Sequence, residues 1–195
     1  MLVLVSGLVL LPSCTTPPPP ETYPATFHRT SFDQWETVER PDLGLTFEKP
    51  KGLRTLGSST SVLIQLHGVS AQSAFPSDTQ YLITVSIDAY SKEEWGTRFG
   101  NLSKIDPSIE ERARNDAKVR AWVGFKKWAY SFSPEVTMRE YHGERYYRRA
   151  FTNNTGTIVE INTEYIPRVP EMIAEDDAAI RRIMSSVAPM SNQTQ

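Results

Sequence analysis

The chain has 195 residues with a single cysteine, and 21 Lys and Arg stand against 23 Asp and Glu, for a net charge of −2. A balance this close to neutral argues against nucleic acid as a partner. One cysteine excludes an intrachain disulfide and any zinc or iron–sulfur site built on several thiolates, so the fold must rest on its apolar core. The length suits one domain burying roughly 70% of the surface its unfolded chain exposes.

Residues 2–11 are all Leu and Val apart from Ser6 and Gly7. A bilayer span takes about 20 apolar residues, so this run is too short to cross a membrane and suits the core of a signal peptide. It ends in Leu11-Pro12-Ser13-Cys14, which resembles the lipobox of bacterial lipoproteins: Leu three residues before the cysteine, a small residue next to it, then the cysteine. Pro12 departs from the Ala, Ser, Thr or Val usual there, and no Lys or Arg precedes the run. The resemblance implies cleavage after Ser13, lipid attachment at Cys14 and a location in the cell envelope, lipid-anchored on the periplasmic face of a membrane. Each buried CH₂ contributes about 0.8 kcal/mol, and two or more acyl chains hold firmly where one binds reversibly. Pro17–Pro20 and Pro24 follow, a composition that favours polyproline II and makes a semi-rigid spacer. The expected organisation is therefore signal peptide 1–13, lipidated Pro-rich linker 14–38, one domain 39–189 and a polar tail 190–195.

Within the domain, Leu43, Leu45 and Phe47 alternate up to Pro50, and Val62, Ile64 and Leu66 repeat the pattern. Tyr81, Ile83, Val85, Ile87 and Ala89 form the clearest period-two row, with the increasingly polar Thr84, Ser86 and Asp88 opposite. Ser91 and Glu94 have capping-box spacing and predict a short helix. Asp106-Pro107-Ser108 opens a second predicted helix running to Trp122, with Ile109, Ala113, Ala117 and Ala121 as its apolar stripe. The alternation of Trp128, Tyr130 and Phe132 predicts a strand over 126–133. The segment from Glu135 to Phe151 predicts a hairpin turning at His142-Gly143, and "TNNTG" leads into a strand carrying Val159, Ile161 and Tyr165. From Pro170, the shared face of Ile173, Ile180, Ile183, Met184 and Val187 predicts a closing amphipathic helix. The order predicts an α+β fold: a mostly antiparallel sheet of six or seven strands, covered by helices on both faces as an α/β/α sandwich.

The stretches "GLTFEKPKGL", "GERYYRRAFTNNTGTIVEINTEY" and "IRRIMSSVAP" resemble the PsbP-like superfamily, which includes DcrB-type bacterial lipoproteins. Leu53 stands where that family has a Trp after its Pro-x-Gly. The resemblance implies the sandwich fold; the family is united by fold rather than by one reaction, so it carries over no catalytic residue.

No G-x-S-x-G, H-E-x-x-H, P-loop or G-x-G-x-x-G is present, and no cofactor is expected. His28, His67 and His142 are scattered, and Asp176-Asp177 and Glu93-Glu94 read as solvated helix-start charge. Two features could bind. Trp122, Phe125, Trp128, Tyr130 and Phe132 form an aromatic cluster that is either core or a stacking surface. In "RYYRR", Arg145, Tyr147 and Arg149 share one strand face and Tyr146 and Arg148 the other; these rows either present Tyr and Arg to a partner or pair across strands with Glu160, Asn162 and Glu164. The expectation is a non-enzymatic, membrane-anchored binding or scaffolding module for an envelope protein or glycan, with Trp128, Tyr130, Arg145, Tyr147 and Arg149 as candidate contacts. The alternative is an envelope hydrolase or small-ligand receptor.

Overall fold

The computed structural model describes residues 32–53, 55–67, 82–165 and 172–190. Cys14, the apolar run before it, Pro17–Pro24, Pro170 and residues 191–195 lie outside the described residues.

Leu43, Leu45 and Phe47 are buried in alternation along β2 (Leu45–Pro50) and its approach. β2 pairs antiparallel with β1 (Trp35–Arg40) and, at its start, with the two-residue β9 (Ala188–Pro189), giving a three-stranded sheet. β1 begins at Trp35, three residues before the expected end of the linker at 38. Its few apolar side chains, Trp35 and Val38, do not alternate, so the strand leaves little periodic signal.

The larger sheet has six strands in the order β3-β4-β5-β8-β7-β6, every neighbour antiparallel. β3 is Thr55–Gly57, β4 Ser61–His67, β5 Leu82–Tyr90, β6 Thr137–Tyr141, β7 Glu144–Thr152 and β8 Ile158–Tyr165. The fold is thus α+β, with four helices and two antiparallel sheets among the described residues: the larger has six strands, within the expected six or seven, and the three-stranded sheet is separate from it. β6 and β7 join through His142 and Gly143, both at positive φ (53° and 81°), the shape of the tight turn whose twist matches two antiparallel strands. Between β7 and β8, the Asn153 carboxamide oxygen accepts from the backbone N–H groups of Thr155 and Thr157 at 3.0 and 2.9 Å, and Gly156 supplies a φ of 82°.

Four helices are described. In α1 (Lys92–Leu102) the Ser91 hydroxyl accepts from the Glu94 N–H while the Glu94 carboxylate accepts from the Ser91 N–H. The single helix expected over 106–122 is two. α2 (Pro107–Asn115) stops at Asp116, whose extended backbone and side chain cap α3 (Ala117–Ala129) by accepting from Lys118 N–H and Val119 N–H. The break displaces the alanine stripe: Ala113 is buried, whereas Ala117 and Ala121 are exposed.

The strand expected over 126–133 is absent. Trp128 and Ala129 complete α3, and Tyr130 is its C-terminal cap. Trp128, Tyr130 and Phe132 alternate, but Phe125, Trp128 and Ala129 stand at helical spacing as well. Lys126 and Lys127 in the last turn also favour the negative helix end.

α4 (Ile173–Ser186) buries Ala179, Ile180, Ile183 and Met184. Ile180, Ile183 and Met184 share one apolar cluster with Leu45 and Phe47 of β2, Val62 and Ile64 of β4, Val85 and Ile87 of β5, and Val159 and Ile161 of β8. Burying each such side chain contributes about 1.5–3 kcal/mol. The Ser186 hydroxyl donates to Ile183 O and accepts from Glu48 N–H at 2.8 Å, tying the end of α4 to β2.

Candidate functional site

Alternation along β7 sends Arg145, Tyr147, Arg149 and Phe151 to the core face of the large sheet, opposite Tyr165, Thr163, Ile161 and Val159. Tyr147 is buried and its hydroxyl donates to Asp177 Oδ1 at 2.5 Å. Burial pushes that hydroxyl up from its ordinary pKa, and the Asp177 carboxylate adds to the shift. Arg149 sends Nη1 to Met184 O and Val187 O at 2.7 and 2.8 Å and Nε to Pro134 O at 2.8 Å. It therefore caps the C-terminal end of α4, where unpaired carbonyls and the helix dipole favour a cation. Arg145 Nε lies 3.8 Å from Glu140 Oε1. Of this row, Tyr147 and Arg149 use their polar atoms to hold α4.

Asp176 and Asp177 are not a solvated pair. Asp176 is 1% exposed and its Oδ2 accepts from the Tyr165 hydroxyl at 3.0 Å. Asp177 Oδ2 accepts from Arg181 Nε at 2.8 Å. Burial pushes Asp177 up, but the hydrogen bonds from Tyr147 and Arg181 outweigh it and hold the carboxyl below its usual range.

The opposite row carries the chemistry. Here Asp88 of β5 faces Glu160 of β8, Arg148 of β7 faces Asn162, and Tyr146 faces Glu164. Arg148 and Glu160 are each 3% exposed, with Arg148 Nη2 3.0 Å from Glu160 Oε1. Trp95 and Phe99 of α1 lie against this pair, their ring centres 5.6 and 5.4 Å from the Arg148 guanidinium carbon. Arg98 donates to the Tyr90 hydroxyl at 2.8 Å beside them. Burial pulls the Arg148 guanidinium down from its ordinary pKa, against the attraction of Glu160. Burial also pushes Glu160 up, with Arg148 opposing, and pushes Asp88 up, with a Ser86 hydrogen bond opposing. The cross-strand pairing open from the sequence thus joins Arg148 to Glu160 diagonally, with Asn162 directly opposite Arg148.

Beside Arg148, between the end of α3 and strands β7 and β8, lies a cavity of about 190 Å³ walled by Phe125, Trp128, Tyr146, Asn162 and Glu164. Phe125 meets Tyr146 edge to face at 4.9 Å and stacks on Tyr141 at 4.6 Å. Trp128 Nε1 donates to Thr137 Oγ1 at 3.1 Å. The Tyr146 hydroxyl donates to Glu144, and burial with that carboxylate pushes its pKa up. Tyr130 is outside the cavity wall; its ring centre is 5.9 Å from that of Phe99.

Of the five candidate contacts, Trp128 and Tyr147 line the cavity, although the Tyr147 hydroxyl bonds to Asp177 of α4. The cavity adds Tyr146, Arg148, Asn162 and Glu164, for which the available signal was the second row of "RYYRR" and its proposed partners. Among the described residues no three His, Cys, Asp or Glu side chains are placed to hold a metal ion, and His142 packs on the Tyr141 ring at the hairpin turn. Asp88 and Glu160 are neighbours on one sheet surface, whereas paired-carboxylate hydrolysis needs two acids flanking the substrate. No described helix is long and apolar enough to cross a membrane. Compared with models of known protein families and with curated proteins, the chain matches none.

Proposed function

We propose that the chain is an envelope lipoprotein, held at a membrane through lipid on Cys14, whose PsbP/DcrB-like domain is a non-enzymatic binding or scaffolding module. The observation that carries the binding reading is the aromatic-walled cavity beside the buried Arg148–Glu160 pair. Its helical surroundings are thinly buried: α1 buries Phe99, α2 Ala113 and α3 Val123. An α/β/α sandwich is supported by α4 sharing the apolar cluster with one sheet face, while Trp95, Phe99 and Phe125 touch side chains of the other.

The envelope location rests on the Leu11–Cys14 motif and the prolines after it. Replacing Cys14 with Ser is expected to move the protein from the membrane fraction to the soluble fraction and leave an uncut precursor; membrane association surviving that change refutes the anchor. Capture of a stoichiometric envelope protein or glycan by the tagged mature chain tests the binding module.

A receptor or hydrolase is the second reading, favoured by Tyr146, Arg148 and Glu164 converging on one cavity. The cavity is below the roughly 300 Å³ at which ordinary small-molecule sites begin. Turnover of a generic ester or glycoside by the purified chain supports the hydrolase.

A further inference from the structure

α3 carries Lys118, Arg120, Lys126 and Lys127 and no acid. From Leu102 to Lys127, seven Lys and Arg stand against four Asp and Glu, in a chain whose net charge is −2. Lys118, Trp122 and Lys126 are spaced four apart and so form one stripe along the helix. The Lys126 ammonium lies 5.2 Å from the Trp122 ring centre and donates to Lys104 O at 3.0 Å, which brings the segment after α1 to the same stripe. Trp122 is 36% exposed, and Leu102, two residues before Lys104, is 41% exposed.

These cations lack carboxylate partners. Lys104, Lys118 and Lys126 form no ion pair among the described residues. The acids near them in the chain are engaged elsewhere. Asp106 and Asp116 accept from backbone N–H groups at the starts of α2 and α3, and Glu110 pairs with Lys127 at 2.7 Å. Three ammonium groups thus stand beside two exposed apolar side chains. The complementary partner has a layer of negative charge with apolar material directly beneath it. A tryptophan ring settles at the headgroup level of a bilayer, and lysine stems lie along apolar surface while their ammonium groups stay in water.

We infer that this face, formed by Leu102, Lys104, Lys118, Trp122 and Lys126, rests on a membrane surface of anionic phospholipid headgroups. The inference rests on the anchored reading and says which side of the domain meets the bilayer. Seventeen residues separate Cys14 from Phe32, where the described residues begin. Extended, they span at most about 60 Å, more than the roughly 40 Å width of a domain of this size, so the anchor leaves every face able to reach the lipid and charge selects this one. Tethering holds the domain at an effective concentration on the order of millimolar, so a weak contact suffices. Physiological salt screens exposed charges beyond about 8 Å, and the face alone does not keep an unanchored chain on membranes.

The test uses the full chain carrying Cys14→Ser, so that no acyl chain contributes, with vesicles of phosphatidylcholine alone or of equal parts phosphatidylcholine and phosphatidylglycerol. The readout is quenching of tryptophan by lipids brominated on their acyl chains; the segment before Phe32 contains no Trp and is silent in it. Each Lys near an anionic surface contributes about fivefold to partitioning. At low ionic strength the anionic vesicles are therefore expected to be favoured on the order of a hundredfold, and the quenching is expected to vanish in Trp122→Phe. Lys118→Gln with Lys126→Gln is expected to weaken partitioning by about thirtyfold. Lys51→Gln with Lys92→Gln makes the same charge change at exposed positions away from the stripe and is expected to alter it by less than about threefold. Equal quenching in the two vesicle types, quenching in neither, quenching that persists in Trp122→Phe, or equal effects of the two Lys pairs each overturns the inference. The anchor survives such a failure, because fractionation of cells expressing Cys14→Ser tests it separately.

Discussion

On one face of β5, β7 and β8 the side chains include Val85, Ile87, Phe151, Val159 and Ile161; on the other they include Asp88, Arg148, Glu160 and Asn162. The first face joins the apolar cluster that contains Ile180, Ile183 and Met184 of α4, and two of its polar side chains, Tyr147 and Arg149, bond to that helix. The second buries charge against the rings of Trp95 and Phe99 and leaves Arg148 donors without acceptors among the described residues. Strand alternation makes this division possible at no topological cost. One row supplies folding free energy, and the adjacent row holds groups that folding alone does not satisfy. Such incomplete satisfaction is expected where a site serves something other than stability.

Breaking the pair on the polar face is expected to have the largest effect. Arg148→Met leaves the Glu160 carboxylate buried and uncompensated, costing about 3–5 kcal/mol in urea denaturation, whereas Arg148→Met with Glu160→Met recovers most of that loss. If the single and double variants are equally destabilised, the pair is not what holds this face together. On the apolar face, Ile183→Ala removes a fully buried side chain and is expected to cost about 2–5 kcal/mol. Arg149→Leu strips the C-terminal end of α4 of its charged donor, an expected loss of about 1.5–3 kcal/mol, seen also as faster amide exchange in the last turn of α4.

A pH series sharpens the contrast. Asp88 and Glu160 have pKa values raised by burial, so the folded state keeps protons that the unfolded chain releases. Their contribution is full below the ordinary carboxylate pKa of about 4 and is lost as pH rises through the raised values. Asp177 runs the other way: its pKa is lowered, so its contribution is present above the ordinary value and is lost on acidification. Asp88→Asn is therefore expected to raise the melting temperature at pH 7 relative to wild type and to leave it nearly unchanged at pH 4. An equal shift at both values argues that charge on this face is not the cause. The smallest expected effect is Trp122→Ala on the exposed side of α3, within about 0.5 kcal/mol of wild type.

Several elements were legible because a short-range rule sufficed. The reciprocal hydrogen bonds of Ser91 and Glu94 need only residues three apart, and the His142-Gly143 turn needs only two residues able to take positive φ. The rows of β2, β5 and β8 followed from alternation. Other elements were not legible for equally physical reasons. Asp116 is as ordinary inside a polar helix face as at a cap, so the α2–α3 break was hidden. Trp128 and Tyr130 fit a strand by period two, while packing of Phe125 on Tyr146 of β7 and of Trp128 on Thr137 and Arg139 of β6 selects the helix.

The sequence by itself determined the order of most elements, the two rows of β7 and the Leu11–Cys14 motif with its prolines, because each depends on covalent neighbours or on a period of two or 3.6. Only the tertiary structure decided which row meets the core. It took a register to place Arg148 near Glu160, α4 to capture Tyr147 and Arg149, and the close of α3 to bring Phe125 and Trp128 beside Asn162 and Glu164. Those contacts join residues far apart in the chain, and local pattern carries no information about which distant surface will cover them.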